Sequence, residues 1–268
     1  MSTGQRSLPL KLETDMEQVC AVGESPEEKA SCTTNRKEGE ENPPGSRHSP
    51  DVVFLQELIP PYSRFMKKRL ADNYTFIEGG KEGYFIGMML KKSRITLLDS
   101  EIVDYPTTRM MRNLLVAQVL FKGQKLCLMT SHLESCKPNA AERMRQLRLV
   151  MKRMTEAPDD VTVLFGGDAN LRDSEVARVG LPDCVCDVWE QLGKPENCRY
   201  TWDTTINTNR EIQFKCQLRF DRLYLRRASK DGVPQLEPDS MTLIGLEKLK
   251  CGCFTSDHWG ILCTFSAE

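Results

Sequence analysis

From Asp51 onward the sequence is a series of short apolar runs separated by turn residues, and this pattern restricts the fold more than any other feature. The runs DVVFLQE, GYFIGMML, RNLLVAQVLF, KLCLMTSH, VTVLFGG and RFDRLYLR are typical of buried strands, many bounded by Gly, Lys or Pro. Strands outnumber helices and do not alternate strictly with them. We therefore predict an α/β fold in which two packed sheets are flanked by helices, rather than a doubly wound parallel sheet.

Two stretches have helical character. PPYSRFMKKRL opens with prolines, which favour the first turn of a helix, and NAAERMRQLRLVMKRMTEAP has an apolar residue every three or four positions. Asn139 and Glu142 resemble a capping box at the start of the second helix. The predicted core-facing residues are Tyr62, Phe65, Met66 and Leu70 in the first helix, and Met144, Leu147, Met151 and Met154 in the second.

The first 48 residues differ in composition from the rest. GESPEEKASCTTNRKEGEENPPGSRHSP is rich in Glu, Ser, Gly and Pro and has almost no large apolar side chains. Such a composition cannot bury enough surface to offset the entropy lost on ordering. We predict that residues 1–48 form a disordered acidic segment and that residues 49–268 form one folded domain.

Charge and cysteine content restrict the partners and the compartment. The formal net charge of −1 neither demands nor excludes a nucleic-acid partner, because binding depends on local charge. Eleven cysteines include two C-x-C pairs but no C-x-x-C, so neither a zinc knuckle nor a redox motif is indicated. The sequence shows no signal peptide and no long apolar run, which favours free thiols in the nucleus or cytosol and no membrane partner.

Polar side chains of reactive type follow four of the predicted strands. Singly, each has an ordinary explanation: a strand entering solvent, a hydrogen-bonded core histidine, turn-forming Asp and Asn, or a loop pair beside Trp259. Together they indicate groups that converge on one edge of a sheet, where rigid scaffolds carry catalytic groups. The residues are Glu57, then His132 and Ser135, then Asp168, Asn170 and Arg172, then Asp257 and His258.

This set of residue types favours phosphoester hydrolysis. A lone carboxylate such as Glu57 suits Mg²⁺, which takes oxygen ligands and shares them with phosphate. Histidine and arginine neutralise charge on phosphoryl oxygens, and Asp168 with Asn170 can orient an attacking water. Motifs for acyl transfer, for the P-loop and for dinucleotide binding are absent from the sequence. The scarcity of Cys/His ligand clusters argues against zinc.

These motifs resemble a known family. QE, SHLES, GDANLRD, FDR and SDHWG, in this order, are similar to the endonuclease/exonuclease/phosphatase (DNase I-like) superfamily, whose fold is a two-sheet α/β sandwich. The longer matches SPDVVFLQELIPPY, KEGYFIGMMLKKSR, MMRNLLV, AERMRQL, YTWDT and GLEKL resemble its 5′-tyrosyl-DNA phosphodiesterase branch. That resemblance implies hydrolysis of the bond between a topoisomerase tyrosine and a DNA 5′ end, in double-strand break repair.

The resemblance also implies a role for each matching residue. Mg²⁺, with Mn²⁺ as the alternative, would be held by Glu57 with Asp257 beside it. The catalytic set would be Asp168, which activates water, with Asn170, His132, His258 and Asp221, the last orienting His258. Contacts to DNA, to phosphate or to the scissile tyrosine would come from Arg172, Ser135, Tyr84, Arg112, Trp202, Ile212 and Phe220. Arg210 stands where the family tends to have an apolar residue.

The sequence departs from the family at its N-terminal side. The family's first catalytic strand carries T-W-N-I-D-G, whose Asn completes the metal site, and this motif is absent here. Asn35 lacks a strand context and is not a convincing substitute. We therefore expect the first strand and helix of the domain to be missing. The family's ubiquitin-binding N-terminal domain is not evident either; LPLKLETDMEQV is at most a fragment of it.

Three functions remain open on the sequence. The first is a Mg²⁺-dependent 5′-tyrosyl-DNA phosphodiesterase that binds single-stranded 5′ DNA, is monomeric and lies in the nucleus, with the cytoplasm as a second location. The second is a truncated, catalytically impaired isoform that binds DNA or protein, with ubiquitin or signalling proteins as further candidate partners. The third is a relative that acts on another phosphodiester, which MMRNLL and YTWDT disfavour.

Overall fold

The computed structural model describes the backbone of residues 10–14 and the chain from 48 to 267. The strands are β1 (Leu10–Thr14), β2 (Val52–Leu58), β3 (Tyr74–Glu78), β4 (Phe85–Lys91), β5 (Ile95–Asp104), β6 (Asn113–Phe121), β7 (Gln124–Ser131), β8 (Thr162–Asp168), β9 (Val185–Asp187), β10 (Trp202–Asp203), β11 (Gln217–Leu218), β12 (Asp221–Arg226), β13 (Leu236–Ile244) and β14 (Gly260–Ala267). The helices are α1 (Pro60–Leu70), α2 (Ala140–Thr155), α3 (Asp173–Val179) and α4 (Val188–Gln191).

The described strands form two large sheets, as the sequence predicts. One sheet has the order β13-β14-β1-β2-β4-β3, the other has the order β5-β6-β7-β8-β12-β9, and β10 and β11 form a separate hairpin. Apolar side chains from both sheets share one core cluster, represented by Phe54 and Met88 from the first sheet and Leu128 and Leu164 from the second. The α/β sandwich is thereby confirmed.

Helix α2 covers the outer face of the second sheet. Three residues of its predicted stripe, Leu147, Met151 and Met154, pack in one cluster with Val163 and Phe165 of β8, and the fourth, Met144, is also buried. The predicted capping box is wrong, since the Asn139 side chain donates to the Ser135 carbonyl. Glu142 instead accepts hydrogen bonds from residues outside the N-cap. The helix start is thus fixed by tertiary contacts rather than by a local cap.

Helix α1 lies on the outer face of the first sheet. Met66 and Leu70 pack against a small cluster that includes Val53 and Met89. Phe65, predicted to face the core, is instead 48% exposed, and its ring contacts the guanidinium of Arg69. The apolar side of this helix is therefore narrower than the sequence pattern indicates.

Leu10–Thr14 corrects one expectation. This segment pairs in parallel with β2, with Leu12 opposite Val52, and antiparallel with β14, with Leu10 opposite Phe265. Residues 1–48, predicted to be mostly disordered, thus contribute a strand at these five positions, which complete the backbone hydrogen bonding between β2 and β14. The remainder of the segment up to residue 47, including Asn35, lies outside the described residues.

Candidate active site

Strand ends from both sheets meet at one end of the sandwich. β7 runs parallel to β8, while β12 runs antiparallel to β8 and begins with Asp221 opposite Asp168. On β2, the register with β4 shifts between Leu55 and Leu58, and Glu57 has a left-handed φ of 53°. This irregularity is a bulge, which re-aims side chains at a strand end. Residues far apart in sequence are thereby placed around one cavity.

Asp168 lies at the centre of the site. Its Oδ2 is 3.2 Å from Nε2 of His132 and 3.9 Å from Nε2 of His258, and its Oδ1 accepts a hydrogen bond of 2.9 Å from the Asn170 backbone. Burial raises the pKa of Asp168, and its interactions with the two histidines only partly oppose this. A buried carboxylate with a raised pKa is suited to accept a proton from water.

His258 forms a charged pair with Asp221. Nδ1 of His258 is 2.8 Å from Oδ2 of Asp221, and the Asp221 backbone N–H donates to Thr201 Oγ1 at 3.0 Å. Burial lowers the pKa of His258, but the charges of Asp221 and Asp168 outweigh it and raise the pKa well above its usual value. Conversely, burial raises the pKa of Asp221, but His258 outweighs it and the net pKa is lowered. His258 is therefore an imidazolium whose Nε2 side lies toward Asp168.

His132 differs from His258 in its protonation. Burial lowers the pKa of His132 to about 4, against an opposing effect from Asp168, so the ring is neutral at pH 7. A neutral ring within 3.2 Å of Asp168 donates through Nε2. Its buried Nδ1 then has no hydrogen-bond partner and lies 3.9 Å from Oε1 of Glu57. The ring thus presents an acceptor nitrogen toward the Glu57 side of the site.

These groups line a cavity of about 480 Å³. One side is polar, and the other is an apolar wall lined by Trp202, Ile212, Phe214, Leu218 and Phe220. The Trp202 ring contacts the His258 ring edge-on with centroids 4.8 Å apart, and Phe220 lies 6.1 Å from Trp202. The apolar wall therefore directly adjoins the ionisable groups.

A second cavity of about 370 Å³ meets the first at His132, which lines both. Tyr84 and Arg112 lie here rather than in the first cavity, together with Met111. Burial lowers the pKa of Arg112, although Asp168 and nearby carboxylates partly restore it, and its Nε is buried without a hydrogen-bond partner. His132 therefore separates the cavity that holds Asp168 from the cavity that holds Arg112.

The donor set fits a hard divalent cation. Glu57 is a carboxylate whose side chain is 31% exposed in the cavity, and the carboxylates of Asp168 and Asp221 offer oxygen atoms within 4.8 Å of each other. Oxygen donors in excess of nitrogen donors are typical of Mg²⁺ rather than zinc sites. Glu57 lines the cavity, and its carboxylate would hold the cation there.

The other predicted residues occupy the same region. Asp257 lies in the first cavity and forms an ion pair with Arg210, which also lines it. The Arg172 guanidinium lies 5.3 Å from the ring of Phe220 and donates to the Asn170 carbonyl at 3.0 Å. Ser135 lines the cavity and contacts Sδ of Met110. The roles of these residues stay predictions.

Three residues of the site were missed from the sequence. Gln56 lines the cavity and donates to Thr130 Oγ1 at 3.0 Å, while Thr201 holds the backbone of Asp221. Glu134 is a fully buried residue of the loop that follows β7. Each of the three lies inside a motif quoted above: Gln56 in QE, Glu134 in SHLES and Thr201 in YTWDT. The motifs therefore located these residues but did not indicate what they contact.

The chain matches known proteins over nearly all of its described part. The model of the Endonuclease/Exonuclease/phosphatase family matches residues 41–258. Tyrosyl-DNA phosphodiesterase 2 of Danio rerio is 61% identical over 220 residues, which are 82% of this chain and 59% of that protein. The human protein of that name is 57% identical over 217 residues, with 81% of this chain and 59% of that protein covered.

A solved structure shows the same fold. The crystal structure of D. rerio TDP2 complexed with single-strand DNA product is 52% identical, has a TM-score of 0.85, and covers 97% of this chain and 100% of that chain. In length, the chain spans less than two thirds of the curated relatives that it matches.

Proposed function

This chain belongs to the endonuclease/exonuclease/phosphatase family, and we propose that it is a Mg²⁺-dependent 5′-tyrosyl-DNA phosphodiesterase. The observation that carries the proposal is that Asp168, His132 and the His258–Asp221 pair come together in one cluster. This cluster lines a cavity with an apolar wall, and its His132 also lines a second cavity. The reaction adds water to the phosphorus of a 5′-phosphotyrosyl end and releases tyrosine and a 5′-phosphate.

Asp168 supplies the attack side of the reaction. The carboxylate accepts a proton from water while the water oxygen bonds to phosphorus. Its position is fixed by the Asn170 N–H and by Nε2 of His132. The raised pKa that burial gives this carboxyl brings it closer to the operating pH, which favours proton transfer.

His258 stabilises the charge that develops on the phosphoryl oxygens. Its imidazolium is held by Asp221 at 2.8 Å, so the donor is oriented before the reaction begins. Preorganised donors in a water-poor site contribute more than the same donors in water. Mg²⁺, held by Glu57, would supply Lewis-acid polarisation of a phosphoryl oxygen when bound.

The second cavity suits the leaving group. Tyrosine leaves as a phenol or phenolate, which has a reference pKa of about 10 and gains from a nearby cation. Arg112 lines this cavity with a buried Nε that lacks a partner, and Tyr84 is 59% exposed at the same place. An aromatic ring and a guanidinium are a favourable pair for a phenolic group.

The apolar wall suits single-stranded DNA. Phe214 is 71% exposed and lines the cavity with Trp202 and Ile212. Bases stack on or wedge against such surfaces regardless of sequence, as repair of arbitrary ends requires. The crystal structure of the D. rerio protein with single-strand DNA product supports this assignment.

The test is turnover of a defined substrate. We expect purified full chain with Mg²⁺ to convert an oligonucleotide carrying 5′-phosphotyrosine into the 5′-phosphate product, followed by gel electrophoresis. Asp168→Asn should lose about 10²- to 10⁴-fold in kcat, the usual contribution of acid–base groups. The proposal is wrong if well-folded wild-type protein at high concentration releases no product.

A second candidate is a DNA-binding module with impaired catalysis. The absent T-W-N-I-D-G motif favours it, because the family's metal site uses an Asn from that strand. It predicts tight binding of the tyrosyl oligonucleotide with no product. Comparing binding in EDTA with turnover in Mg²⁺ separates the two candidates, since only the first gives both.

We further propose a nuclear location and a role in removing topoisomerase 2 adducts from broken DNA, because 5′-phosphotyrosyl ends arise on DNA. The chain is further proposed to act as a monomer. Nuclear fractionation and analytical ultracentrifugation test these two statements.

A further inference from the structure

One buried carboxylate next to the site lines neither of its two cavities. Glu134 is 0% exposed and stands between His132 and Ser135 in the sequence. It accepts hydrogen bonds from the Thr108 hydroxyl at 2.8 Å, from the Arg109 backbone N–H at 2.8 Å and from Gln146 Nε2 at 3.1 Å. Thr108 and Arg109 belong to the segment that joins β5 to β6. The Glu134 carboxylate therefore links that segment to the loop after β7 by hydrogen bonds.

The hydroxyl of Thr108 connects the Glu134 carboxylate to the backbone of Arg112 by hydrogen bonds. Its Oγ1 donates to Glu134 and accepts from the backbone N–H of Met110 at 3.2 Å and of Arg112 at 3.0 Å. One donor and two acceptor positions are the full capacity of a hydroxyl. The donation to Glu134 leaves the oxygen oriented to accept from both amides, so the conformation of residues 108–112 depends on the carboxylate.

The guanidinium of Arg112 has few anchors of its own. Its Nε is buried without a partner, and a contact of 4.0 Å joins Nη2 to Sδ of Met110. Met111, just before it, has a left-handed φ of 54° and is 79% exposed. The place of the guanidinium is therefore set mainly by its backbone, which the hydroxyl of Thr108 holds.

We propose that Glu134 is a positioning residue which, through Thr108, fixes Arg112 at the leaving-group side of the site. The inference rests on the proposed function, because it takes Arg112 as the cation beside the departing phenol. Glu134 also lies near enough to raise the pKa of Arg112 against the effect of burial. It thus holds a charged guanidinium in place without contacting substrate.

Two substitutions at Thr108 test the relay. Thr108→Val removes the hydroxyl at nearly constant shape, and Thr108→Ser retains it. We expect Thr108→Val to lower kcat/KM on a 5′-phosphotyrosyl oligonucleotide by about 10- to 100-fold, the scale of a misplaced group. Thr108→Ser should stay within about threefold of wild type, because a hydroxyl satisfies the same partners.

A matched control lies one residue away. Thr107 also donates from the same segment to a carboxylate of α2, Glu142, at 2.8 Å, but it has no hydrogen bond to Glu134 or Arg112. Thr107→Val should keep kcat within about threefold of wild type, because the relay through Thr108 is intact. Equal losses in Thr107→Val and Thr108→Val would overturn the inference, since they would indicate only a loosened segment.

The leaving group gives a second readout. On a p-nitrophenyl ester of thymidine 5′-phosphate, departure needs less stabilisation, so the effect of Thr108→Val should shrink to about threefold or less. In an Arg112→Ala background, Thr108→Val should add no further loss, because residues that act as a unit are not additive. A full, additive loss in that background would contradict positioning through Arg112.

Binding in EDTA separates failure of this inference from failure of the proposed function. If wild type gives no turnover, the proposed function fails, but affinities for the 5′-phosphotyrosyl and the plain 5′-phosphate oligonucleotides can still be compared. Relative to Thr108→Ser, Thr108→Val should weaken the affinity for the 5′-phosphotyrosyl oligonucleotide by about tenfold, which is in the range of one lost hydrogen bond. The affinity for the plain 5′-phosphate oligonucleotide should not change. Equal affinities of the two variants for the tyrosyl oligonucleotide would refute the relay.

Discussion

Arg143→Met is expected to destabilise the protein more than any exposed substitution on α2. The Arg143 side chain is 0% exposed and makes four hydrogen bonds. Nε and Nη2 donate to the two carboxylate oxygens of Glu175 at 3.0 and 2.7 Å, and Nη1 donates to the carbonyls of Glu134 and Cys136 at 2.8 and 3.0 Å. The guanidinium therefore joins α2, α3 and the loop after β7.

The magnitude follows from what the substitution leaves behind. Methionine fills much of the volume, but the Glu175 side chain, 10% exposed, keeps a charge without its partner. Breaking a buried pair in this way costs about 3–5 kcal/mol. For a domain of this size, about 1 kcal/mol corresponds to a Tm shift of about 2–4 °C, so we expect a fall of about 6–20 °C.

Thermal and urea unfolding followed by circular dichroism measure the effect. Arg145→Met is the matched control on the same helix, because Arg145 is 58% exposed and its pair with Glu142 is worth about 0–1 kcal/mol. The double variant Arg143→Met with Glu175→Gln should recover part of the loss, since the unpaired charge is removed. A loss below about 1 kcal/mol for Arg143→Met, equal to that of Arg145→Met, would refute the reasoning.

Three further outcomes are expected. Asp221→Asn removes the carboxylate that most raises the pKa of His258, so burial should lower that pKa. In a pH–rate profile, kcat should therefore begin to fall at a lower pH than in the wild type. Arg210→Leu removes a cation from the cavity together with the ion-pair partner of Asp257. The slope of log K for DNA binding against log salt should become less steep by about one unit, the value of one phosphate contact. Deletion of residues 1–14 opens the edges of β2 and β14, and light scattering should detect aggregation on mild heating.

Local patterns predicted the elements of this fold, whereas long-range contacts decided their details. The alternation and length of the apolar runs predicted the strands because those signals reside within a few neighbouring residues. The Asn139 and Glu142 cap failed because Glu142 has stronger partners in Thr107 and Arg145. A buried role for Glu134 could not be inferred, since in the sequence an isolated glutamate looks like an exposed one.

The site was predictable in composition but not in arrangement. The sequence placed His132, Asp168 and His258 at strand ends, yet their opposite protonation depends on which carboxylate each faces in space. His258 is 2.8 Å from the ionised Asp221, while His132 is buried beside a carboxyl whose own pKa is raised. Two histidines with divergent pKa values indicate separate roles, one as a cation and one as a neutral donor.

The pairing of Leu10–Thr14 gives this segment a structural role that its backbone alone performs. As backbone, this segment lies between β2, which carries Glu57, and β14, which begins two residues after His258. Its hydrogen bonds therefore help to fix the separation between Glu57 and His258, whatever its side chains are. The Asn ligand that the sequence resemblance implies needs a particular side chain, which LKLET does not contain. We therefore expect the protein to melt cooperatively while it binds Mg²⁺ weakly, because backbone pairing in the sheet does not depend on that side chain.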